Sequence, residues 1–569
     1  MLKVMTIVAV FQIAKSFNQV KMIKPSEFCD HVTHFSYALS CSSFANPGSD
    51  QPLADEISKK RWSRKPTSES SKTIDDIWAG FSIETSHSEL LRDAIHSARE
   101  KAGRRANIRP VNPIDELTRY EAYSRLRQRM FELVRAENCD SRRGWIRAFE
   151  RWQYLSKNYE WSDDGARFFE NLASLDPLLP SLPLNSPAEV NLFEDLQKLD
   201  GISFDAAKRV SRKIQDDSSK LSSALYKRMA LRIQKAATAP AAQGIDDNGD
   251  DQSNNNETNS GSKNIGSVNI VSNQYNGDLR VSLQEDASVE SYSKRFRVFS
   301  ISATHAEKLR LLWNHRRETL DPMLPGLKDS IGDSDNNKET SRVSNSQFDD
   351  DLFCLLARYS VLEGYGWQAA IAQPVLAALN KNFGVTVECF SSPLNNFLPT
   401  YCSFFPDTDA AFGSVGSFFD FQPSEGSFEA NPPFVASLMV QMVLRMDSLL
   451  TAATGPMSFA VVVPAWCEDA HWPHLLTSNF NKGYFIVPAT EHSYCDGRQH
   501  GSSIDERYRP APFDTAVFFL QNAEGAKKWP LTSQSKAELI EAFAAARTSQ
   551  ESSQDRNVYI PKFKRPKEA

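Results

Sequence analysis

Four consecutive residues, Asn431, Pro432, Pro433 and Phe434, carry the most specific chemistry in this sequence. An amide, two rings of fixed φ and an aromatic face suit work on the exocyclic amine of a nucleobase. The lone pair of such an amine is delocalised into its ring, which makes it a poor nucleophile. It is helped by acceptors that take hydrogen bonds from both N–H groups while the ring is held flat. The Asn431 side-chain oxygen and the Pro432 backbone carbonyl are the natural acceptors, and the double proline fixes the carbonyl's direction. Phe434 offers a stacking face, worth roughly 1–3 kcal/mol per base. Taken alone, Asn-Pro-Pro reads more readily as a plain turn that ends a strand. The elements around it decide.

Those elements alternate. Val385 to Phe390 reads as a short buried strand, followed by the polar turn Ser391-Ser392-Pro393-Leu394-Asn395-Asn396. Further strands are expected at Ser417 to Phe421, Ser427 to Ala430, Ser458 to Val463, Tyr484 to Val487 and Thr515 to Leu520. Helices fall between several of them, of which Phe434 to Leu450 is the clearest. The pattern predicts an α/β fold with a mainly parallel, doubly wound sheet. Both the Ser391–Asn396 turn and the Asn-Pro-Pro-Phe stretch then sit at strand ends, on the edge where open α/β sheets bind ligands. There the tetrapeptide reads as an amine site more readily than as a turn.

Length and composition frame the rest. The chain of 569 residues allows two to four domains. It is 41% hydrophobic and 24% charged with a net charge of −6, so any nucleic-acid site must be a local patch. The eight cysteines form no Cys-x-x-Cys pair, which speaks against a zinc site or a disulfide framework and fits a reducing compartment. His471, His474 and His492 lack a matching acid or Cys spacing, so no metal is expected. The apolar run near Met1 is too short to span a bilayer and lacks a clear cleavage site, and it reads as the start of a strand or helix.

The expected organisation is a largely disordered segment over 1–73, a helical domain over 74–235, a disordered linker over 236–265 and a joining region over 266–347. The joining region holds a hairpin turning at Asn276-Gly277, a helix from Thr304 to Arg316 and a polar insertion. The catalytic-looking core runs over 348–545, and a basic tail over 546–569. Between Arg92 and Arg167 there are 17 Lys or Arg against 12 Asp or Glu, with Tyr120, Tyr123, Trp145, Phe149, Trp152, Tyr154, Tyr159 and Trp161 among them. Such a surface is what a reader of phosphates and bases needs; a solvated helix face over a Trp core has the same composition.

Several blocks in one order resemble the phosphorylated-CTD-interacting-factor family, the cap-specific adenosine N6-methyltransferases. They are Glu388-Cys-Phe-Ser-Ser-Pro-Leu-Asn395, Phe405-Pro-Asp-Thr-Asp409, Phe412-Gly-Ser-Val-Gly416 and Glu425-Gly-Ser-Phe-Glu-Ala-Asn-Pro-Pro-Phe434. Val463-Pro-Ala-Trp466, Pro488-Ala-Thr-Glu-His-Ser-Tyr494 and Thr515-Ala-Val-Phe-Phe-Leu-Gln-Asn522 follow. The resemblance implies a helical domain on a Rossmann-like class I methyltransferase core, with S-adenosylmethionine as donor. The implied acceptor is the 2′-O-methyladenosine beside the 7-methylguanosine cap of mRNA, and the implied location is the nucleus. Methyl transfer would be direct and in line, with Asn431 and Pro432 orienting the amine. Ser392, Pro393, Asn395 and Asn431 are the candidates for the cofactor pocket, with Asp409 or Asp407 as a carboxylate partner. Trp466 and Glu468 stand at the family's Trp-x-Glu positions near the capped end, a pairing that suits a cationic base.

The sequence departs from the family pattern at Ala436, where relatives carry a Glu, and at Val415, where they carry an Arg. It shows no pair of Trp spaced as in a WW module, so no WW-mediated binding of the phosphorylated polymerase tail is expected. Two other readings remain: an adenine methyltransferase on other RNA or DNA, and a non-catalytic RNA- or polymerase-associated protein of the same fold.

Overall fold

Val461, Val462 and Val463 have no polar neighbours in sequence to face water, and such a run must be buried on both faces. In the computed structural model it is the centre of β7 (Met457–Pro464), all eight residues of which are buried. The structure describes residues 87–107, 111–137, 144–161, 176–181, 187–238, 268–273, 278–283, 298–320, 337–362, 369–497, 500 and 508–551. All lie in one unit, Ser68–Ala569. The segment expected over 1–73, the 239–265 part of the linker, the Asn276-Gly277 turn and the 552–569 part of the tail lie outside the described residues.

The main sheet has six strands in the order β5-β4-β6-β7-β11-β8. β4 (Val387–Ser391), β5 (Tyr401–Ser403), β6 (Gly426–Ala430) and β7 run parallel. β11 (Thr515–Gln521) is antiparallel to β7 and to β8 (Asn481–Val487). The sheet is therefore mixed, with five strands in one direction and one reversed strand, β11, between β7 and β8. The chain leaves β4 toward β5 on one side and returns to β6 on the other. The order thus reverses between β4 and β6, which creates a crevice beyond their carboxyl ends. Gly426 opens β6 at φ +130, where a Cβ would lie 2.8 Å from the Phe428 ring; only glycine suits both demands.

Each face of the sheet is covered. On one side Phe428, Phe459 and Phe518 pack with Met439, Met442 and Met446 of a helix at Ala436–Ala452. Phe428 and Phe459 stack at 4.9 Å between centroids. Complete burial of such side chains stabilises the fold by roughly 1.5–3 kcal/mol each. On the other side Val462, Val517 and Phe519 meet helices at Gln373–Phe383 and Ser533–Glu551. Ser417 to Phe421, expected as a strand, is instead a turn: Phe418 and Phe421 are buried in the core while Phe419 is half-buried, so no alternating face forms.

Numbered in chain order, the described helices are α1 (Glu89–Asn107), α2 (Pro113–Ala136), α3 (Gly144–Trp161), α4 (Pro187–Gln197), α5 (Phe204–Thr238), α6 (Ala303–Leu320) and α7 (Asn337–Ser360). Those at Gln373–Phe383 and Ala436–Ala452 are α8 and α9. Helices α2–α7 share a core with a small antiparallel sheet of β1 (Val268–Ser272), β2 (Leu279–Leu283) and β3 (Val298–Ile301). Two elements differ from expectation. α1 packs Leu91, Ile95 and Ala98 on the main sheet instead of joining the helical group. α7 begins at Asn337, inside the expected polar insertion. Its buried Phe348, Leu352, Phe353, Leu355 and Leu356 supply an apolar stripe that carries the whole helix.

The aromatics of the basic region also fall differently. Tyr123, Trp145, Phe149 and Trp152 are buried and pack together, so they form a core and offer no stacking surface. Several of the cations nearby are ion-paired: Arg209 with Glu137, Lys213 with Asp217 and Arg151 with Asp195.

A buried ion network ties the helices to the sheet. Arg358, on α7, is fully buried and bonds Glu116 of α2 through Nε (2.7 Å) and Nη2 (2.8 Å). The same guanidinium bonds both oxygens of Asp407 at 2.9 Å. Arg119 adds contacts to Glu116 (2.5 Å) and Asp176 (2.8 Å). Removing one member strands a charge away from water, at a cost of about 3–5 kcal/mol. Glu116→Gln should therefore lower stability by about that amount in a urea melt; an unchanged midpoint would contradict this role for the network.

Candidate active site

Glu388 and Asn431 organise the two sides of the crevice. Glu388, on β4, is buried, and its Oε1 accepts from the backbone N–H of Phe397 (2.8 Å) and Leu398 (2.6 Å). Its Oε2 accepts from the Ser391 hydroxyl at 3.2 Å. The chain leaving β4 is thereby curled back over the strand end. Within that curl Asn395 Oδ1 accepts from Ser392 N (2.7 Å) and Ser392 Oγ (2.8 Å), with Ser391 Oγ 3.1 Å away. Asn395 thus closes its own turn, a common use of Asn. Burial pushes the Glu388 carboxyl up to about 7.

Across the crevice, Asn431 directly follows β6. Its Nδ2 donates to the Ala369 carbonyl at 2.9 Å. That bond fixes which end of the amide is which, because a carbonyl can only accept. Asn431 Oδ1 is buried and has no hydrogen-bond partner among the described residues. A buried acceptor left bare is costly, on the order of 1–3 kcal/mol, unless a ligand supplies the donor. The Pro433 carbonyl is taken by Val435 N at 2.7 Å, whereas no described backbone N–H donates to the Pro432 carbonyl.

Between these two anchors lies a cleft that is partly open to solvent. Asn431, Pro433, Ser392 and Asn395 line it, together with Phe390, Phe404, Phe418 and Phe419. A mostly apolar lining with a few fixed hydroxyls and amides suits an organic ligand with a small number of polar groups. Ser392, Asn395 and Asn431 are therefore brought together as expected. Pro393 is buried beneath the turn and is not part of the lining.

Asp409 is not brought to the cleft. It is fully buried and accepts from Tyr359 Oη (2.6 Å) and Thr408 Oγ1 (3.0 Å). Burial pushes its carboxyl up to about 7. It supports the wall from behind, since Tyr359 lines the cleft. Asp407 is occupied by Arg358. Val415 is buried in the core beside the sheet, with its N–H on the Tyr401 carbonyl.

Phe434 lies outside the cleft lining, at the head of an aromatic cluster. Its ring meets Phe513 (5.5 Å between centroids), Tyr494 (6.1 Å) and Trp466 (6.3 Å), all edge-on. Trp466 keeps 36% of its surface exposed, and Glu468 is exposed two residues on. The four residues from Asn431 to Phe434 thus stand between the cleft and an aromatic surface. Sequence reading missed Tyr359, Leu362 and Ala369, which reach the site from α7 and the segment after it; no spacing in sequence links them to Asn431. Among the described residues no group of three His, Cys, Asp or Glu is placed to hold a metal, and no helix is long and apolar enough to cross a membrane.

The comparisons with known proteins bear on this region. Residues 328–497 match a family model described as "Phosphorylated CTD interacting factor 1 WW domain". Two relatives carry the name mRNA (2'-O-methyladenosine-N(6)-)-methyltransferase. The Homo sapiens protein is 43% identical over 200 residues and the Mus musculus protein 42%, covering 34% of this chain and 28% of each relative. The match thus spans little more than a quarter of the length of those relatives. It supports the resemblance drawn from the sequence. The description of the family model stands against the expected absence of a WW-type match, and so against the exclusion of binding to the polymerase tail. The described residues of that stretch build α7, α8 and β4 to β8 with the helices between them.

The raised Asp409 carboxyl gives a signed prediction. A folded value of about 7 against an ordinary value near 4 means that the folded protein holds this proton more tightly. The stabilisation is complete below about pH 4 and is lost as pH rises through 7. Asp409→Asn should flatten that fall in thermal melts taken from pH 4 to 8; an undiminished slope would contradict the assignment.

Proposed function

We propose that this protein is an S-adenosylmethionine-dependent methyltransferase that N6-methylates the 2′-O-methyladenosine beside the 7-methylguanosine cap of mRNA. The observation that carries the proposal is the oriented Asn431 amide, whose bare Oδ1 stands at the carboxyl end of β6 beside the cleft. The sheet order and its single reversed strand, β11, agree with a Rossmann-like class I core, and the relatives' names agree with the reaction.

The residues present fit the cofactor. The unpartnered Asn431 oxygen and the hydroxyl-bearing turn at Ser391–Asn395 offer polar contacts in an otherwise aromatic cleft. S-adenosylmethionine, when bound, supplies an electrophilic methyl group. Asn431 Oδ1 and the Pro432 carbonyl accept from the two N–H bonds of the adenine amine, and so stabilise the positive charge that grows on that nitrogen. Once the new bond has formed the nitrogen is strongly acidic, so its proton passes to solvent without a dedicated base. Phe434 and the rings around it form the side of the site on which the adenine lies. The exposed Trp466 with Glu468 beside it suits the cationic cap base, by cation–π contact and charge. Nuclear location is part of the same reading, supported by the basic residues from Lys562 to Lys567.

Methyl transfer from labelled S-adenosylmethionine to capped RNA, with the first nucleotide varied, tests the reading. Transfer is expected only when that nucleotide is adenosine, and more strongly on capped than on uncapped RNA. Equal rates on both would leave an adenine methyltransferase without cap specificity. Asn431→Ala should lower kcat by roughly 10²–10³; a normal rate would defeat the mechanism. Trp466→Ala should raise KM for capped RNA with little change in kcat, the mark of an interaction made equally in the ground and transition states.

A further inference from the structure

Asn431 is oriented by a carbonyl, and that carbonyl is itself held in place by a second set of residues. Ala369 belongs to a short extended piece whose next residue, Ala370, exchanges two backbone hydrogen bonds with Cys495, at 3.1 and 2.8 Å. Cys495 ends β9 (Ser493–Cys495), a three-residue strand that among the described residues pairs otherwise only with β10 (Tyr508–Pro510). So small a ribbon is marginal by itself. Side-chain bonds fasten it to the main sheet. Tyr494 Oη lies 2.6 Å from Thr515 Oγ1 on β11, and Thr515 Oγ1 lies 2.8 Å from His492 Nε2. His492 Nδ1 lies 2.8 Å from the Pro488 carbonyl.

The direction of these bonds follows from what each group is able to do. A carbonyl only accepts, so His492 Nδ1 carries the proton. Burial holds the imidazole below its ordinary value, hence neutral, and leaves Nε2 as an acceptor. Thr515 must then donate to Nε2, which leaves its oxygen to accept from Tyr494. All three residues are buried, and each is satisfied in one direction only. Tyr494 also places its ring against Phe434 and Phe513. One hydroxyl, that of Thr515, therefore lies at the base of two supports: the Ala369 carbonyl that orients Asn431, and the ring that borders Phe434.

We infer that Thr515, with His492 and Tyr494, is a positioning residue for the methyl-accepting amine, acting through β9 on Asn431 and Phe434. The inference rests on the methyltransferase reading for its kinetic consequence, though not for its structural one. Thr515→Val keeps the shape and removes the hydroxyl; Thr515→Ser keeps the hydroxyl. The expected result is a kcat lower by about ten-fold or more in Thr515→Val, since small misplacements at a reacting centre are costly. Thr515→Ser should restore kcat. Amide hydrogen exchange at Ala370 and Cys495 should quicken in Thr515→Val alone.

A wild-type kcat in Thr515→Val, or equal losses in the Val and Ser variants, would overturn the role of the hydroxyl. Unchanged exchange at Ala370 and Cys495 would overturn the structural link, whatever the activity. A wild-type protein without activity on any RNA, with exchange still quickened in Thr515→Val, would remove the methyltransferase reading and leave the link standing.

Discussion

Arg358 is the constraint on which the rest of the structure depends. Its guanidinium is fully buried and satisfied on two sides, by Glu116 from the helical group and by Asp407 beside the main sheet. Burying a charge this deeply is tolerable only when every donor is matched, which makes the arrangement geometrically demanding. That demand fixes the last turn of α7. Tyr359 and Leu362, just beyond Arg358, form part of the cleft wall, and Tyr359 is pinned from behind by Asp409. The helical group and the sheet thus meet at the site itself.

The same logic recurs at the two strand ends of the crevice. Glu388 curls the chain after β4 through two backbone N–H groups, and the Ala369 carbonyl turns the Asn431 amide after β6. Neither arrangement needs a ligand to form. A site whose polar groups are already held loses little entropy when a substrate arrives, and it presents its acceptors where charge develops. Glu388 and Glu429 lie opposite each other on adjacent strands, and burial beside Glu388 keeps the Glu429 carboxyl well above the usual range.

Much of this was legible in the sequence. The strands around β4, β6, β7 and β11 showed as apolar runs because both of their faces are covered, and the polar turns after β4 and β6 stood out against them. From these the crevice and its residues Ser392, Asn395 and Asn431 could be placed. What the sequence concealed depends on contacts between distant segments. Asp409 resembles an exposed turn acid in sequence, yet Tyr359 and Thr408 hold it inside. Trp145 and Trp152 resemble base-stacking residues among arginines, yet they fill a helical core. Phe434 follows Asn431 by three residues, yet its ring packs with Phe513, Tyr494 and Trp466, outside the lining of the cleft. Local composition does not distinguish an aromatic that covers the core from one that awaits a ligand.

The central claim is that the crevice between β4 and β6 holds the methyl donor with Asn431 at its mouth. A crystal structure with S-adenosylhomocysteine bound tests it most directly. The account predicts the ligand in the cleft lined by Phe390, Ser392, Asn395 and Asn431, with the Asn431 amide still donating to the Ala369 carbonyl. A ligand seated elsewhere on the molecule, or an Asn431 amide turned so that its oxygen faces Ala369, would contradict it.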